Sequence, residues 1–345
     1  MVQLLKEHYE NHPAMEPRDA IKFLYHSRMG PGHLISDPAA AQARLDREWD
    51  QVEGARGVPL GESLGNGMFR LDIKACKGLG LSSMTLGRLF ELTAQETAGD
   101  LAALDKDLEL VYTLPLPREM IRQELERYRA QGCPPISHSP AYRLAYAPAY
   151  RVVSQYYVNI LPVLTALDAL LARGEPVRAA IDGPCASGKS TLGEALGRIY
   201  RCPVVHMDDF YLLPHQRTPA RLEEPGGNVD YERFQREVLS PLVRGEQARY
   251  RPWRCREGQF GEEISIKGDP LTVIEGSYSL RPDLRESYHL RVWVEAPWTV
   301  RLERLEQRGG PGCVRRFLEQ WIPLEDRYFS ACQVKDCCQV ALGGE

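Results

Sequence analysis

Gly-Pro-Cys-Ala-Ser-Gly-Lys-Ser-Thr, residues 183–191, is the stretch that decides the fold of this chain. It matches the pattern G-x-x-x-x-G-K-[ST], in which glycines let the backbone turn tightly so that successive N–H groups point at phosphate oxygens. Residues 177–182 before it predict a short buried strand, and residues 191–199 after it predict a helix with one apolar face. Since strand, glycine-rich loop and helix are the context that this motif requires, we predict a phosphate-binding loop, called the P-loop below.

The P-loop also predicts its ligands. Lys189 is expected to reach the β- and γ-phosphates as a point charge, and Ser190 is expected to ligate Mg²⁺. We therefore predict binding of ATP or GTP together with Mg²⁺, and we take ATP as the phosphoryl donor. The sequence contains no N-K-x-D motif for reading guanine, which argues against a GTPase switch. The predicted nucleotide-binding residues are Gly183, Ala186, Ser187, Gly188, Lys189, Ser190 and Thr191.

Length and composition restrict the class of protein. The chain has 345 residues, enough for two domains, and it is 43% apolar and 26% charged, as in ordinary globular proteins. No run of about 18 uncharged apolar residues and no apolar leader occur, so we expect a cytoplasmic protein without a membrane-spanning helix. Nine cysteines without a C-x-x-C pair favour reduced thiols. A net charge of −4 does not favour nucleic acid as a partner, and homo-oligomerisation is left open.

We predict two domains, joined at the Gly-Glu-Pro linker of residues 174–176. The first domain, 1–174, is expected to be mainly α-helical, with one short strand at 68–73. Glycine and proline clusters separate its segments. Its predicted helices are 17–28, 38–52, 85–97, 118–131 and 150–173.

The second domain, 175–345, alternates predicted strands and helices. Such alternation implies an α/β fold with a parallel sheet covered on both faces, here the three-layer α/β/α fold of P-loop NTPases. Ligands of such sheets bind beyond the carboxyl ends of the strands. The predicted strands are 177–182, 203–206, 271–274, 290–294 and 338–342, and the helices after the P-loop are 191–199, 298–307 and 314–329.

Carboxylates follow two of these strands. Asp208 and Asp209 follow the second strand, and a carboxylate there can accept the proton of an attacking hydroxyl or support Mg²⁺. Glu275 follows the third strand, where we expect an acid that serves Mg²⁺ directly or through water. The alternatives are a turn former at Asp208 and a solvated strand end at Glu275. The predicted metal-site residues are Ser190, Asp208 and Glu275.

An arginine-rich helix precedes a glycine pair. Arg301, Arg304 and Arg308 follow one another at spacings of three and four residues, which places them on one helix face. Arginines that close over ATP would neutralise charge in the transition state, and Arg304 and Arg308 are therefore candidate catalytic residues beside Lys189 and Asp208. The alternative is a surface helix with Glu–Arg pairs.

Five stretches together resemble the uridine kinase/phosphoribulokinase family of P-loop kinases, over about residues 176–345. The resemblance implies that Asp208 is the base that deprotonates the acceptor hydroxyl and that Tyr211 lies near a bound nucleoside. It also implies that Asp230 holds the ribose hydroxyls and that Glu275 is the metal-site acid. The stretches are 183–191, 207–211 (Met-Asp-Asp-Phe-Tyr), 228–230 (Asn-Val-Asp), 274–276 (Ile-Glu-Gly) and 301–308.

The sequence departs from that family where the base would be read. A Tyr and a His read the pyrimidine in uridine kinases, whereas residues 250–257 of this chain, Tyr-Arg-Pro-Trp-Arg-Cys-Arg-Glu, contain no His. Trp253 in this stretch remains a candidate substrate contact. Nearby arginines either meet an anionic acceptor, such as a sugar phosphate or a carboxylate, or are solvated loop charges. They are Arg217, Arg221, Arg251 and Arg254.

The first domain carries histidines of undecided role. His26 and His33 flank a glycine turn, and His138 lies beside a tyrosine-rich run. Three histidines can bind a metal, but single histidines more often cap helices or satisfy buried carbonyl groups. Substrate gating, oligomerisation and a second reaction all remain open for this domain.

The site residues together predict an ATP-dependent small-molecule kinase that transfers the γ-phosphoryl group to a hydroxyl. The resemblance favours a nucleoside or related ribosyl compound as the acceptor. One alternative is another hydroxyl metabolite, such as a sugar phosphate or a vitamin. The other is a nucleotide-regulated binding or assembly protein in which the P-loop domain is a switch.

Overall fold

The computed structural model describes residues 1–343 of the chain. It divides into two compact units, one of Met1–Asp168 and one that begins at Ala169. This division lies close to the linker predicted at 174–176. The predicted second domain also includes residues 344 and 345, which lie outside the described part. Among the described residues, no helix is long and apolar enough to cross a membrane.

The N-terminal unit combines helices with a small antiparallel sheet. Its strands are β1 (Gly61–Gly65), β2 (Met68–Asp72) and β3 (Tyr150–Ser154), with β2 in the middle. Its helices are α1 (Val2–Asn11), α2 (Pro17–Met29), α3 (Pro38–Gln51), α4 (Ile73–Leu79), α5 (Ser83–Glu96), α6 (Leu101–Asp107), α7 (Arg118–Ala130), α8 (Pro140–Tyr146) and α9 (Gln155–Asn159), and α10 (Leu161–Leu171) spans the division.

Four helices predicted from the sequence are confirmed to within two residues at each end, namely α2, α3, α5 and α7. Local capping explains where two of them begin. Asp37 caps α3 and Ser82 caps α5, because each side chain accepts hydrogen bonds from N–H groups of the first turn. The predicted short strand is confirmed as β2.

The predicted helix at 150–173 is wrong at its start. Tyr150–Ser154 forms β3, and helical structure begins only with α9. Val152 and Val153 are buried and β-branched, which favours an extended backbone, and β2 supplies their hydrogen-bond partners. Pairing with a strand that is distant in sequence therefore overrides the local helical pattern.

The C-terminal unit contains nine strands and six further helices among its described residues. The strands are β4 (Val177–Asp182), β5 (Val204–His206), β6 (Ala248–Tyr250), β7 (Trp253–Arg254), β8 (Gln259–Phe260), β9 (Ile264–Ile266), β10 (Leu271–Glu275), β11 (Leu290–Val294) and β12 (Val340–Leu342). The helices are α11 (Lys189–Tyr200), α12 (Pro219–Glu223), α13 (Tyr231–Phe234), α14 (Ser240–Val243), α15 (Trp298–Arg316) and α16 (Ile322–Cys332).

Five strands form the central sheet in the order β12-β11-β4-β10-β5, and all of its pairings are parallel. β4 and β10 are neighbours within it and are buried along almost their whole length. This parallel sheet, with helices connecting its strands, confirms the predicted α/β fold class and the predicted strands. Two short antiparallel pairs, β6 with β9 and β7 with β8, lie between β5 and β10 in the chain and were not part of the sequence prediction.

The helices after β11 differ in one detail from the prediction. α15 runs from Trp298 to Arg316, but its backbone is non-helical at Gly309 and Gly310. A π-helical segment, Phe317–Trp321, then joins it to α16. The glycine pair therefore breaks the helical path at the point where the sequence predicts the end of the arginine-rich helix.

The sheet register determines which side chains meet. Glu275 at the end of β10 lies beside Ile181 of β4 on one side and beside His206 of β5 on the other. Because the P-loop follows β4 directly, this register brings Glu275 next to it. The site therefore forms at the carboxyl ends of β4, β5 and β10.

We predict that the N-terminal unit loses stability as the pH falls from 7 to 5. Burial lowers the pKa of His138 from 6.5 to about 4, so in this window the unfolded chain binds more protons than the folded chain. This one residue should cost about 2 kcal/mol of unfolding free energy over that range. Hydrogen exchange of the α2 amides, corrected for intrinsic exchange rates, measures the free energy of unfolding at each pH.

A matched variant separates this effect from general acid sensitivity. His138→Asn keeps a polar side chain but does not titrate, so its pH dependence should be smaller than that of the wild type by the same amount. Equal pH dependence of the two proteins would contradict the assignment.

Candidate active site

The P-loop connects β4 to α11 through backbone conformations that favour glycine. Gly183 has φ +146°, and a Cβ there would lie 2.0 Å from the carbonyl oxygen of Val294. Gly188 has φ +110° and precedes α11, which begins at Lys189. No side chain caps the start of this helix. Its first N–H groups are therefore available to an anion, as at other phosphate-binding helix N-termini.

Basic side chains surround the P-loop and hold its carbonyl groups. The Lys189 ammonium is buried and donates to the carbonyl oxygen of Pro184 at 2.8 Å. From α15, Arg301 Nε donates to the carbonyl oxygen of Cys185 and Arg304 Nη1 donates to that of Ala186, both at 2.9 Å. These bonds orient the carbonyl groups away from the anion that the loop amides would bind.

Oxygen ligands for a divalent cation meet beside the P-loop. Ser190 Oγ lies 3.2 Å from Glu275 Oε2, and His206 Nδ1 lies 2.5 Å from Glu275 Oε1. The hydrogen bond to Glu275 raises the pKa of His206. A hydroxyl and a carboxylate, with Asp208 lining the same cavity, form the oxygen-only donor set that Mg²⁺ prefers. The residues present therefore fit this metal.

Asp208 is the residue that the sequence analysis predicts as the general base. It follows β5, and its Oδ1 accepts a hydrogen bond of 2.8 Å from the Tyr211 hydroxyl. Desolvation raises the pKa of Asp208, because the open cavity lies deep among surrounding protein atoms, and the nearby Glu275 carboxylate raises it further. Its neighbour Asp209 is buried and bonded instead to Tyr250 and Arg254.

These groups line one cavity of about 450 Å³. The P-loop contributes Cys185, Ala186 and residues 188–191 to the lining, together with Glu275 and Arg308. Tyr211 and Trp321 also line the cavity, and their ring centroids lie 6.3 Å apart. Further polar side chains of the lining are Arg217, Asn228 and Arg256.

Two predicted substrate residues lie outside the lining of this cavity. Asp230 caps α13 by accepting the Arg233 N–H at 2.9 Å, and it also accepts a hydrogen bond of 2.8 Å from Gln216. Trp253 packs against Phe260 with ring centroids 5.2 Å apart. Both side chains are buried and serve local structure here. Three other predicted residues, Gly183, Ser187 and Arg304, also lie beside the lining rather than in it.

The predicted loop arginines divide into two groups. Arg217 lines the cavity. The other three are engaged elsewhere: Arg221 pairs with Glu232, Arg251 donates to backbone carbonyl groups, and Arg254 pairs with Asp209. Arg256, which sequence reasoning did not single out, lines the cavity instead.

Sequence reasoning also missed two buried acids. Glu325 of α16 accepts the Cys185 N–H of the P-loop and the Ser277 hydroxyl, each at 2.8 Å. Asp182 accepts the N–H groups of Gly183 and Leu280 at 2.7 and 2.9 Å, and its burial raises its pKa to about 6. Asp182 ends a strand just before the P-loop, and this position in the sequence could have identified it as a site residue. Glu325 lies in a helix far along the chain, and nothing in the local sequence identifies it.

No protein-family model and no curated protein sequence matches the chain. Solved structures match about half of it. A structure described as a possible uridine kinase from Bacillus stearothermophilus is 18% identical with a TM-score of 0.40, over 52% of this chain and 99% of that one. D-glycerate 3-kinase from Cryptococcus neoformans is 16% identical with a TM-score of 0.37, over 49% of this chain and 89% of that one. Phosphoribulokinase from Rhodobacter spheroides is 14% identical with a TM-score of 0.36, over 49% of this chain and 70% of that one.

The sheet order and the loop geometry by themselves define the C-terminal unit as a P-loop α/β unit with one cavity at the carboxyl ends of its central strands.

We expect Gly183→Ala to distort the P-loop. The added methyl group would lie 2.0 Å from the Val294 carbonyl oxygen at a φ that alanine avoids, so stability should fall by more than about 2 kcal/mol and ATP binding should weaken strongly. Gly312→Ala is the control, because nothing lies within 4 Å of a Cβ there. Thermal unfolding and ATP titration calorimetry measure both variants, and a Gly183→Ala protein that binds ATP like the control would contradict this account.

Proposed function

We propose that the C-terminal unit transfers the γ-phosphoryl group of ATP to a hydroxyl of a small molecule. The observation that carries the proposal is the presence of three kinds of group in one cavity. These are the P-loop with Lys189, the oxygen pair of Ser190 and Glu275, and the carboxylate of Asp208. Phosphoryl transfer needs little more than these parts, correctly positioned.

Each group has a defined task in this proposal. The P-loop amides and Lys189 bind the phosphates. Ser190 and Glu275 would hold Mg²⁺, with Asp208 close by, and the metal supplies charge neutralisation at the phosphate oxygens. Arg308 lines the same cavity and offsets the negative charge that develops on the transferred group.

Asp208 takes the proton of the acceptor hydroxyl. The Tyr211 hydroxyl donates to Oδ1 and orients the carboxylate, which leaves Oδ2 for the acceptor. Because its pKa is raised, the ionised Asp208 is a stronger base than an ordinary surface aspartate. Below this raised pKa the side chain is protonated and the reaction should slow.

The arginines of the cavity lining favour an acceptor that carries negative charge. Arg217 and Arg256 line the cavity outside the P-loop, and the buried Asn228 side chain belongs to the same lining. In contrast, Asp230, the residue expected to hold a ribose diol, is bonded to its own chain. These contacts support a hydroxyl compound with a phosphate or carboxylate group, including a phosphorylated ribosyl compound, over a neutral nucleoside.

We expect Asp208→Asn to lower turnover by about 10²–10⁴-fold while ATP affinity stays within about twofold, because the base is lost but the phosphate site is not. ADP release with a panel of hydroxyl compounds and ATP titration calorimetry give the two values. Asp209→Asn is the matched control. Asp209 is not part of the cavity lining and bonds to Tyr250 and Arg254, so this variant should retain turnover.

Two outcomes would count against this assignment. If Asp208→Asn loses turnover and ATP binding to the same extent, Asp208 is not the general base. ATP binding without acceptor-dependent ADP release from any compound of the panel would favour a nucleotide-regulated switch over a kinase.

For the acceptor, we expect Arg256→Ala to raise the KM for an anionic acceptor by about tenfold or more, with a smaller change in kcat. The acceptor is first found by thermal-shift screening of nucleosides, sugar phosphates and hydroxy acids with a non-hydrolysable ATP analogue. Arg251→Ala is the control, because its guanidinium donates to backbone carbonyl groups outside the cavity lining. If the enzyme turns over neutral nucleosides and Arg256→Ala has the same KM for them as the wild type, the proposal of an anionic acceptor is wrong.

A further inference from the structure

The N-terminal unit contains a buried polar cluster that the proposed kinase reaction does not use. Five of the eight histidines of the chain belong to it, and their rings contact one another or Tyr142 and Tyr150 at centroid distances of 4.1 to 6.1 Å. The histidines are His8, His12, His26, His33 and His138.

Arg70 of β2 lies in the middle of this cluster. Its side chain is only 2% exposed, and its Cζ lies 5.4 Å from the ring centroid of Phe23 and 4.9 Å from that of Tyr150. Nη1 donates to Glu62 at 2.9 Å and lies 3.3 Å from His8 Nε2. Nε and Nη2 have no hydrogen-bond partner among the described residues.

The two unpartnered nitrogens of Arg70 form one edge of the guanidinium group. Their parallel N–H bonds match the spacing of two oxygens of a carboxylate or a phosphate. A buried cationic donor that lacks a partner is costly, so a native structure rarely retains one without a function. The free edge of Arg70 therefore points to a ligand that is an oxyanion.

Neighbouring side chains also carry hydrogen-bonding nitrogens, and several of these have no partner among the described residues. His26 is 1% exposed, and neither of its ring nitrogens has a partner among the described residues. His33 Nδ1 is also unpartnered. Lys22 donates to the carbonyl oxygen of Ile136 at 2.8 Å. Burial, together with the charges of Lys22 and Arg70, lowers the pKa of His26 well below its usual value, so its neutral ring offers one donor and one acceptor.

Tyr150 links the cluster to a cavity. Its hydroxyl lies 2.7 Å from His138 Nε2, and His138 Nδ1 lies 2.8 Å from Asp19 Oδ1, so the chain of bonds holds the tyrosine in place. Tyr150 also lines a cavity of about 140 Å³ with Arg44, Arg151 and Glu48, and Glu48 pairs with Arg151 at 2.9 Å. A ligand that enters from this cavity meets the Tyr150 ring before it meets Arg70.

A metal ion fits this cluster less well than an anion. Among residues 1–343, His8, His12 and Glu62 bring three ligand atoms within 4.8 Å of one another, whereas the histidines singled out from the sequence do not form such a group. The Arg70 guanidinium contacts both His8 and Glu62 and would repel a cation there. The same positive charge attracts an anion.

We propose that this cluster is a second ligand site, in which the free edge of Arg70 binds the carboxylate or phosphate group of a small molecule. Lys22 and His26 interact electrostatically with Arg70 and belong to the same site. Entry of the ligand from the cavity requires the hydrogen bond between Tyr150 and His138 to break, so that the Tyr150 ring can move aside. The site belongs to the N-terminal unit and is independent of the proposed kinase reaction.

Histidine resonances provide a residue-by-residue test on the full chain. The protein is labelled with ¹⁵N at its histidine rings and titrated separately with inorganic phosphate and with acetate. We expect saturable shifts of His26 and His138 and no shift of His289, which lies in the other unit. Shifts with phosphate alone identify a phosphorylated ligand class, and shifts with acetate alone identify a carboxylate. No saturable shift of His26 with either anion overturns the proposal.

A variant tests the geometry of the site. Arg70→Lys keeps the charge but lacks the paired N–H edge, so it should bind the anion about tenfold more weakly or worse, whereas Arg151→Lys at the cavity should bind within about twofold of the wild type. Equal affinity of Arg70→Lys and the wild type overturns the proposal. The wild-type titration decides the question even where Arg70→Lys does not fold.

Discussion

The active-site end of the C-terminal unit depends on the buried carboxylate of Asp182. This one side chain accepts N–H groups from the start of the P-loop and from Leu280, and it also accepts the hydroxyl of Tyr328 in α16. A buried acid is tolerated when several donors surround it, and here the donors come from three segments that are far apart in sequence. The end of β4, the segment after β10 and α16 are thereby held in one arrangement around the P-loop.

A second buried acid extends this arrangement to the phosphate site. Glu325 joins α16 to the P-loop amide of Cys185, while Arg301 and Arg304 join α15 to the carbonyl groups of the same loop. Between these two helices the backbone passes through the non-helical Gly309 and Gly310 and a π-helical segment. The arginine-rich helix is thus attached to the P-loop in this structure, so a movement of α15 would also move the P-loop.

Polar groups are buried in the two units for different reasons. In the C-terminal unit the charged groups face one cavity or support it, as expected of a site that concentrates charge on a phosphate. In the N-terminal unit Arg70, His26 and their neighbours form a cluster under a small cavity, and several of their donors have no partner among the described residues. Packing alone does not explain such a cluster, because apolar side chains would fill the same space at lower cost.

The P-loop, the parallel sheet and four helices of the N-terminal unit could be predicted from the sequence, because they follow from local patterns of glycine, proline and apolar residues. The sequence also placed Asp208 and Glu275 at strand ends, next to the P-loop. The three-dimensional fold was needed to show that 150–154 is a strand, that Asp230 and Trp253 lie outside the cavity lining, and that Arg256 and Glu325 belong to it. These features depend on which distant segments of the chain come into contact, and the local sequence does not show those contacts.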